Sequence, residues 1–443
     1  MTIKSIFIVI IISLTWLLLF QTARAQTELR FSSLDSLLTY AEQNSITIKT
    51  TEQQVLLAKW QKISAQAGLV NFRMPTNFNL TNNIELPVSF LPGEAFGGAP
   101  GTFKEVTMGQ QYIGYLNIAP QIDIVNPAAW AKLQSAGKNS ELTTVNNLLA
   151  KKLLFESTSA AYHNIVSLQE QIELTTKSLL IADTLLVNME NKYSEGIVRQ
   201  QDLNDARINK LTLADKLKQL EASLQQQVLS LKILCDIPEN TTILIDEPVG
   251  YNQNIAVGLE VDNQLVYQSS LLKYDIAKAD LKANHLMQLP TLSFVYFDAW
   301  QQNSNNMFFD KDAQWLNSQY IGLKLSVPFP DVNRFIQTKI SKVNSTIAFQ
   351  NAVHIKLQND NNNRQLVLDY EKAFSQFTTA KQIYELKAQN YRMAMNQFNM
   401  DILSSDRLLI AFNDMITSRL NSSSALANLL YLKSKIDINN TVK

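Results

Sequence analysis

The side chains that most often carry catalysis or bind metal ions are scarce in this sequence. Cysteine occurs once, at Cys235, and the three histidines (His163, His285 and His354) lie in helical stretches without a metal-type partner four residues away. The sequence contains no glycine-rich phosphate loop and no H-E-x-x-H zinc motif. We therefore predict no enzymatic activity, no cofactor and no metal site, and we interpret Cys235 as a buried side chain rather than a reactive thiol.

The composition excludes several other classes of protein. The 443 residues include 39 basic and 39 acidic side chains, so a balanced charge gives no reason to expect nucleic acid as a partner. Hydrophobic residues make up 46%, with only 12 glycines and 11 prolines, which argues against extensive disorder. A mean hydropathy of -0.08 argues against a polytopic helical membrane protein.

The N-terminal segment has the pattern of a secretory signal peptide, predicted at residues 1–25. Lys4 precedes an apolar run at 6–20, and the small residues Ala23 and Ala25 follow it. We expect cleavage after Ala25, so that the mature chain begins at Gln26. The alternative is a retained membrane anchor.

Short motifs recur in the same order in the two halves of the chain, which indicates an internal duplication. We predict a first repeat at 26–235, a non-helical connector at 236–262 and a second repeat at 263–443. The recurring motifs are Tyr112-Ile113-Gly114 against Tyr320-Ile321-Gly322, and Tyr193, Leu203 and Ala206 against Phe398, Leu408 and Ala411.

Each repeat contains two segments in which apolar and polar residues alternate, as they do in β-strands with one apolar face. Ile321, Leu323 and Leu325, for example, alternate with Gly322 and Lys324. Aromatic residues near the strand ends suit a transmembrane barrel, but a soluble sheet packed on helices has the same alternation. The predicted strands are 73–90, 109–122, 290–302 and 315–328.

Long helices follow the strands. From Tyr370 to Phe398, apolar residues are spaced alternately four and three positions apart, which is typical of coiled coils. We expect a kink or a segment outside the core at the polar run 359–363. The predicted helices are 127–192, 200–235, 333–397 and 403–435. A further predicted apolar stripe consists of Ile336, Ile340, Val343 and Ile347.

Four strands per chain form a sheet too narrow to close around a pore. In a lipid bilayer, open edges would leave backbone N–H and C=O groups unpaired, at a cost of several kcal/mol for each group. If the strands lie in a membrane, several copies must therefore share one barrel. Three copies would supply twelve strands, and the long helices would continue the barrel as a hollow bundle.

With these strands and helices, the sequence resembles the TolC family of outer-membrane efflux and secretion ducts, and the resemblance covers essentially the whole mature chain. The opening residues Leu34, Ala41 and Asn44 resemble the start of that family. The most specific motif is an aromatic residue, a glycine and then Leu and Ala on the next helix. In the first repeat the motif is Tyr193, Gly196, Ile197, Leu203 and Ala206; in the second it is Phe398, Asp401, Ile402, Leu408 and Ala411.

The resemblance implies an α+β membrane protein in which a helix, a β-hairpin and a coiled-coil helix pair are duplicated. It implies a homotrimer with a twelve-strand barrel in outer-membrane lipid and a periplasmic α-helical barrel. It also implies docking to a periplasmic adaptor and an inner-membrane transporter. We therefore predict an exit duct for small molecules in the outer membrane of a two-membrane bacterium. The alternatives are a protein-secretion duct of the same fold and a soluble periplasmic coiled-coil scaffold.

The same resemblance implies functional residues at the two helix turns, although the turns could simply connect helices. Asp401 departs from the glycine of the first repeat, but aspartate tolerates left-handed backbone. Arg199 and Arg407 could pair with nearby acids and hold the turns shut. The implied adaptor-docking residues are Tyr193, Gly196, Ile197, Leu203, Phe398, Asp401, Ile402 and Leu408. The implied residues of a periplasmic aperture are Asp401, Ser404, Ser405 and Asp406, which could instead begin a solvated helix.

Overall fold

The computed structural model describes residues 28–246, 260–328, 332–400 and 402–442. The predicted cleavage residues Ala23, Ala25 and Gln26 lie outside the described residues, as does Asp401. The helices are α1 (Leu34–Asn44), α2 (Ile46–Ala67), α3 (Pro127–Ser194), α4 (Gln200–Leu234), α5 (Leu265–Leu286), α6 (Val332–Asn399) and α7 (Ser405–Thr441). The strands are β1 (Glu28–Phe31), β2 (Thr76–Asn82), β3 (Val88–Pro92), β4 (Phe103–Thr107), β5 (Tyr112–Ile118), β6 (Gln121–Val125), β7 (Thr242–Ile245), β8 (Thr291–Ser304) and β9 (Trp315–Ser326).

The chain divides into two compact units. The helical unit comprises Met1–Gln53, Asn146–Val266 and Lys356–Lys443, and the sheet unit comprises Gln54–Val145 and Tyr267–Ile355. The helices α3 and α6 have 68 residues each and contribute residues to both units. None of the helices in the described part of the chain has the length and apolarity needed to cross a lipid bilayer.

Apolar stripes hold the helical unit together. Tyr370 and Phe377 of α6 are 3% and 5% exposed and pack in one cluster with Leu426 and Leu429 of α7. Burial of each such side chain contributes about 1.5–3 kcal/mol. The spacing that predicted a coiled coil from Tyr370 to Phe398 therefore marks a stripe whose partner lies in the same chain.

The connector between the repeats adds a short strand pair to the helical unit. β7 follows the end of α4 and pairs in parallel with β1, with Phe31 opposite Ile245. Both side chains are buried in a cluster that includes Tyr162 of α3 and Leu231 of α4. The N-terminal strand is thus fastened to the end of the first repeat.

The kink expected at 359–363 does not occur, because α6 continues without interruption through these residues. The amide of Asn359 donates to the backbone carbonyl of Asn263 at 2.7 Å, and the amide of Asn363 donates to the same carbonyl at 3.1 Å. Asn263 itself is fully buried and donates to the carbonyls of Asn439 and Val442. The polar run therefore joins α6 to the start of α5 and the end of α7 instead of breaking the helix.

The sheet unit contains one larger antiparallel sheet. β8 pairs on one side with β9 and on the other with β5 and β6, and β5 pairs in turn with β2. β5 and β6 together act as one interrupted strand, so the sheet is effectively four strands wide. β2 and β9 are its two edge strands.

The strand predicted at 73–90 is wrong in its second half. The ladder between β2 and β5 ends where Asn82 pairs with Tyr112, and the Asn83 N–H then donates to the carbonyl of Gln111. After Pro87, which cannot donate to a ladder, the chain forms a separate hairpin from β3 and β4. The alternation of apolar residues continues through this break, so periodicity alone could not locate it.

Candidate functional site

The turn between α3 and α4 closes through a glycine in left-handed backbone. Gly196 has a φ of +73°, and its N–H donates to the carbonyl of Tyr193 at 3.0 Å. The N–H of Ile197 reaches back to the carbonyl of Lys192 at 2.8 Å. These two backbone hydrogen bonds around a glycine form a Schellman motif, which commonly ends a helix. Because Gly196 has no Cβ, the turn forms without backbone strain.

The turn between α6 and α7 closes with the same kind of backbone hydrogen bond, which spans five residues. The N–H of Ile402 donates to the carbonyl of Gln397 at 2.9 Å, as Ile197 does to Lys192 in the first repeat. Asp401, the counterpart of Gly196, lies outside the described residues. Ile197 and Ile402 are 62% and 72% exposed, so both turns present an apolar side chain to the surroundings.

The other predicted docking residues divide into surface and core. Tyr193 is 42% exposed, whereas Leu203, Phe398 and Leu408 are buried in one cluster with Met189. The buried residues therefore position the two turns and are not available to a partner at this packing. The ammonium of Lys192 lies 4.4 Å from the centre of the Phe398 ring and links the end of α3 to the end of α6.

The acidic residues near the turns are held by their own helices. The backbone N–H of Arg199 donates to Asp202 Oδ2 at 2.9 Å, and its guanidinium contacts Oδ1 at 3.2 Å. Arg199 thus makes its direct ion pair within α4, with Asp202, and the negative charge of Asp406 on α7 acts on it without a direct contact. For Arg407, no ion pair forms within the described residues. The hydrogen bond from Arg199 lowers the pKa of Asp202, and the hydrogen bond from Ser404 lowers the pKa of Asp406. Both carboxylates therefore stay ionised at neutral pH.

The predicted aperture residues differ in exposure. Ser405 is 6% exposed and lies in the first turn of α7 behind Asp406, while Ser404 occupies the N-cap position. Asp406 remains near Asp202, whose negative charge opposes the effect of Ser404 on the pKa of Asp406. Two repeats thus bring two carboxylates together at the turn end of the helical unit.

Cys235 and His163 occupy the interior. Burial raises the pKa of the Cys235 thiol to about 11, so the residue is uncharged and a poor nucleophile at neutral pH. Burial lowers the pKa of His163 to about 4, and its Nε2 lies 2.9 Å from the hydroxyl of Ser434. These positions suit packing between helices.

Sequence reasoning did not identify a groove between α4 and α7, with a volume of about 710 Å³. The residues on α4 that line it include Asp205, Asn209, Thr212 and Lys216, a polar stripe at coiled-coil spacing. That stripe is visible in the sequence, but α7 comes from the other repeat, so only the fold shows what it faces. The groove is further lined by Asp406, Leu409, Ile410, Asn413, Ile416, Thr417, Leu420, Asn421 and Ser424 of α7, with Ile208 and Leu213 of α4 and Gln171 of α3.

Comparisons with known proteins identify the fold. No model of a protein family matches the chain, and no curated protein matches its sequence. Among solved structures, the outer membrane protein VceC from Vibrio cholerae is similar, with 14% identity and a TM-score of 0.72 over 91% of this chain and 94% of VceC. The chain has the fold of the TolC-type outer-membrane channels. The fold predicted from the sequence resemblance is confirmed.

Two further solved structures have the same likeness. The CmeC outer membrane channel of Campylobacter jejuni is 14% identical, with a TM-score of 0.73 over 92% of this chain and 85% of CmeC. The MtrE outer membrane channel of Neisseria gonorrhoeae is 12% identical, with a TM-score of 0.70 over 92% of this chain and 88% of MtrE. At such identities the likeness establishes architecture, and function has to be argued from the chain itself.

Proposed function

We propose that this protein is an exit channel of a bacterial outer membrane, in which three copies complete one barrel and one helical tunnel. The observation that carries the proposal is the sheet with two open edges, β2 and β9. A sheet four strands wide cannot close on itself, and an open edge in lipid leaves polar backbone groups unpaired. Pairing β2 of one copy with β9 of the next removes every edge and gives twelve strands.

The outer surface of β9 supports placement in lipid. Ile321, Leu323 and Leu325 are 71%, 67% and 63% exposed and project from the same face, because residues two apart share a face of a strand. Phe294 of β8 is the register partner of Leu323 and is 40% exposed on that face. A continuous exposed apolar band of this kind suits contact with acyl chains.

The sheet-unit portion of α6 supports assembly from several copies. Ile336, Ile340, Val343 and Ile347 form a stripe at coiled-coil spacing, yet they are 45–58% exposed. Such a stripe is stable in water when another helix covers it. Neighbouring copies would supply that helix in a closed tunnel.

The transported molecules would pass through the tunnel without chemical change. The exposed Ile197 and Ile402 at the two turns are the points where a periplasmic adaptor would dock, and an inner-membrane transporter would supply the energy. We assign small molecules as the cargo, in keeping with a tripartite efflux system.

Detergent extraction followed by light scattering tests the assembly. The expected result is a particle whose protein mass is three times that of one mature chain, present only in detergent. Reconstitution into planar bilayers should then give discrete single-channel currents. A detergent-free monomer or dimer without current would contradict the proposal, because four strands per chain cannot enclose a pore.

A further inference from the structure

The motif Tyr-Ile-Gly recurs in the two halves of the chain, but its two glycines have different surroundings. A Cβ placed on Gly114 of β5 would lie 3.4 Å from Cη2 of Trp315, so an indole ring covers this glycine. A Cβ placed on Gly322 of β9 would meet only Cγ2 of Val295, at 3.9 Å, among the described residues. The second glycine therefore forms the floor of an open notch in the sheet.

Neither backbone geometry nor packing requires a glycine at position 322. Gly322 does not belong to the described glycines with positive φ, and a larger side chain has space there. A glycine inside a strand weakens the strand, and it often marks a place where a ligand or another chain approaches closely. In the first repeat Trp315 makes that close approach to the glycine. In the second repeat the described residues supply no such ring, so the notch can admit one from outside.

The notch faces the lumen of the proposed barrel. Side chains alternate between the two faces of a strand, and Ile321 and Leu323 belong to the exposed apolar band that suits lipid. The residues of β9 on the opposite face are Tyr320, Gly322 and Lys324. In the proposed trimer, β2 of the next copy pairs with β9 and turns its apolar Phe78 and Leu80 to the lipid. Its short polar side chains then flank the notch without covering it; they are Asn77, Asn79 and Thr81.

An aromatic surface lies at one end of the notch. The ring of Tyr320 stacks on that of Phe297, with centroids 4.9 Å apart and planes inclined by 17°. Tyr320 is nevertheless 55% exposed, so Phe297 covers only one side of its ring. About 7 Å of strand separates Tyr320 from Gly322, at about 3.3 Å per residue. A planar ring lying over Gly322 would therefore touch the open part of Tyr320, in the offset arrangement that aromatic rings prefer.

A positive charge lies at the other end of the notch. Lys324 is exposed, and it forms no ion pair with the residues that the structure describes. Asp123 lies on the same face, since both residues pair in register with Ser293 of β8. Asp123 is only 6% exposed, however, and it accepts hydrogen bonds from Asn71 at 2.6 Å and from Ser293 at 2.8 Å. Arg73 also pairs with Asp123, at 3.4 Å, which leaves Lys324 available to an anion in the lumen.

We propose that this notch is a binding subsite for cargo that carries an aromatic ring and an anionic group. The ring would cover Gly322 beside Tyr320, as Trp315 covers Gly114, and the anion would meet Lys324. About 7 Å of strand lies between Gly322 and Lys324, so a molecule of two fused rings with one anionic substituent reaches both. The inference rests on the proposed function, because only a closed barrel makes this face a lumen. It deepens that function by naming a class of cargo.

Three probes test the subsite on the full-length protein in detergent. Naphthalenesulfonate has the ring and the negative charge, cyclohexanesulfonate has the charge without the aromatic ring, and naphthylmethylammonium has the ring with a positive charge. Equilibrium dialysis, with empty micelles as the blank, measures binding of each probe. Naphthalenesulfonate should bind about fivefold more tightly than cyclohexanesulfonate, because only the first stacks on Tyr320. It should bind about threefold more tightly than the cation, the size expected for an exposed charge pair.

Substitutions locate the binding. Gly322→Val places a side chain on the floor of the notch and should remove the preference for naphthalenesulfonate over cyclohexanesulfonate. Tyr320→Leu keeps an apolar side chain without the ring and gives a second measure of the same preference if Gly322→Val does not assemble. Lys324→Gln should remove the preference for the anionic probe over the cationic one. Lys311→Gln is the matched control, since Lys311 is an exposed lysine between β8 and β9 and should leave all three affinities unchanged.

Two results would overturn the inference. One is equal binding of naphthalenesulfonate and the two comparison probes, and the other is an unchanged preference in both Gly322→Val and Tyr320→Leu. Single-channel current and the trimer mass are measured on the same preparation. Discrete current without selective binding would count against the subsite and not against the channel. Selective binding without current would count against the channel and not against the subsite.

Discussion

The two stretches of α6 have the same sequence periodicity and opposite environments. In the helical unit, Tyr370 and Phe377 are 3% and 5% exposed against α7. In the sheet unit, Ile340 and Val343 are 45% and 58% exposed. A coiled-coil spacing therefore indicates that a stripe will be covered, but not whether the cover comes from the same chain. The buried stretch stabilises the protomer, and we infer that the exposed stretch holds copies together.

The largest expected effect is loss of assembly when the exposed stripe is charged. Ile340→Asp combined with Val343→Asp should convert the trimer to single chains, because two carboxylates per copy would be buried at each contact. Light scattering in detergent measures the change. Lys342→Asp, on another face of the same helix, is the control and should leave the trimer intact. A double variant that stays trimeric would show that this stretch faces solvent in the assembly.

A core substitution in the buried stretch should instead reduce the stability of each protomer. Phe377→Ala removes a buried aromatic ring and should lower the unfolding free energy by about 3–5 kcal/mol, the usual range for this change in a core. Phe335→Ala is the matched control, since Phe335 is 58% exposed in the other stretch. Urea unfolding followed by circular dichroism gives both values. Equal losses would remove the distinction between the two stretches.

The boundary between the stretches offers a third test. Asn359 is 6% exposed and donates to the carbonyl of Asn263 and, at 3.2 Å, to the side chain of Gln264. Asn359→Leu should lower the unfolding free energy by about 1–3 kcal/mol, because buried acceptors lose their donor. Asn363→Leu should cost less, since Asn363 is half-buried. If the order is reversed, Asn363 and not Asn359 anchors α6 to the start of α5.

The sequence allows features that depend on local residue spacing to be predicted. Features that depend on contacts with residues far away in the chain could not be predicted from it. The predicted range 127–192 lies close to the observed Pro127–Ser194, because the segment contains few helix-breaking residues and ends at a turn with a glycine. The break in the strand predicted at 73–90 depends on where β5 stops pairing, which is not encoded nearby. The polar run 359–363 predicts a kink or a segment outside the core, because Asn263, the partner of Asn359, lies far away in the sequence.

The groove was missed for the same physical reason. Asp205, Asn209 and Thr212 have an obvious helical spacing, but the natural interpretation of polar residues on a helix is a solvated face. Only the approach of α7 turns that face into the wall of a cavity, in which Asn209 Nδ2 is buried with no hydrogen-bond partner among the described residues. Duplication makes this harder to foresee, because the two walls belong to different repeats.

The smallest expected effect concerns a solvent-exposed ion pair on α6, in its stretch within the helical unit. Lys387 of α6 pairs with Asp414 of α7, with side chains 39% and 46% exposed. The other repeat has the reverse arrangement, in which Asp183 of α3 pairs with Lys210 of α4. Lys387→Ala should cost about 0.2–1 kcal/mol, and less at high salt, because exposed charges are screened.

A charge reversal isolates that ion pair from its surroundings. Lys387→Asp alone places two carboxylates together and should lower the urea midpoint, whereas Lys387→Asp combined with Asp414→Lys reproduces the polarity of the first repeat and should restore it. The same charge reversal at Asp183 and Lys210 is the matched experiment in the helical hairpin formed by α3 and α4. If the double variant is no more stable than the single one, the helices tolerate only one polarity. The helix pair α3–α4 and the helix pair α6–α7 would then differ in packing as well as in charge.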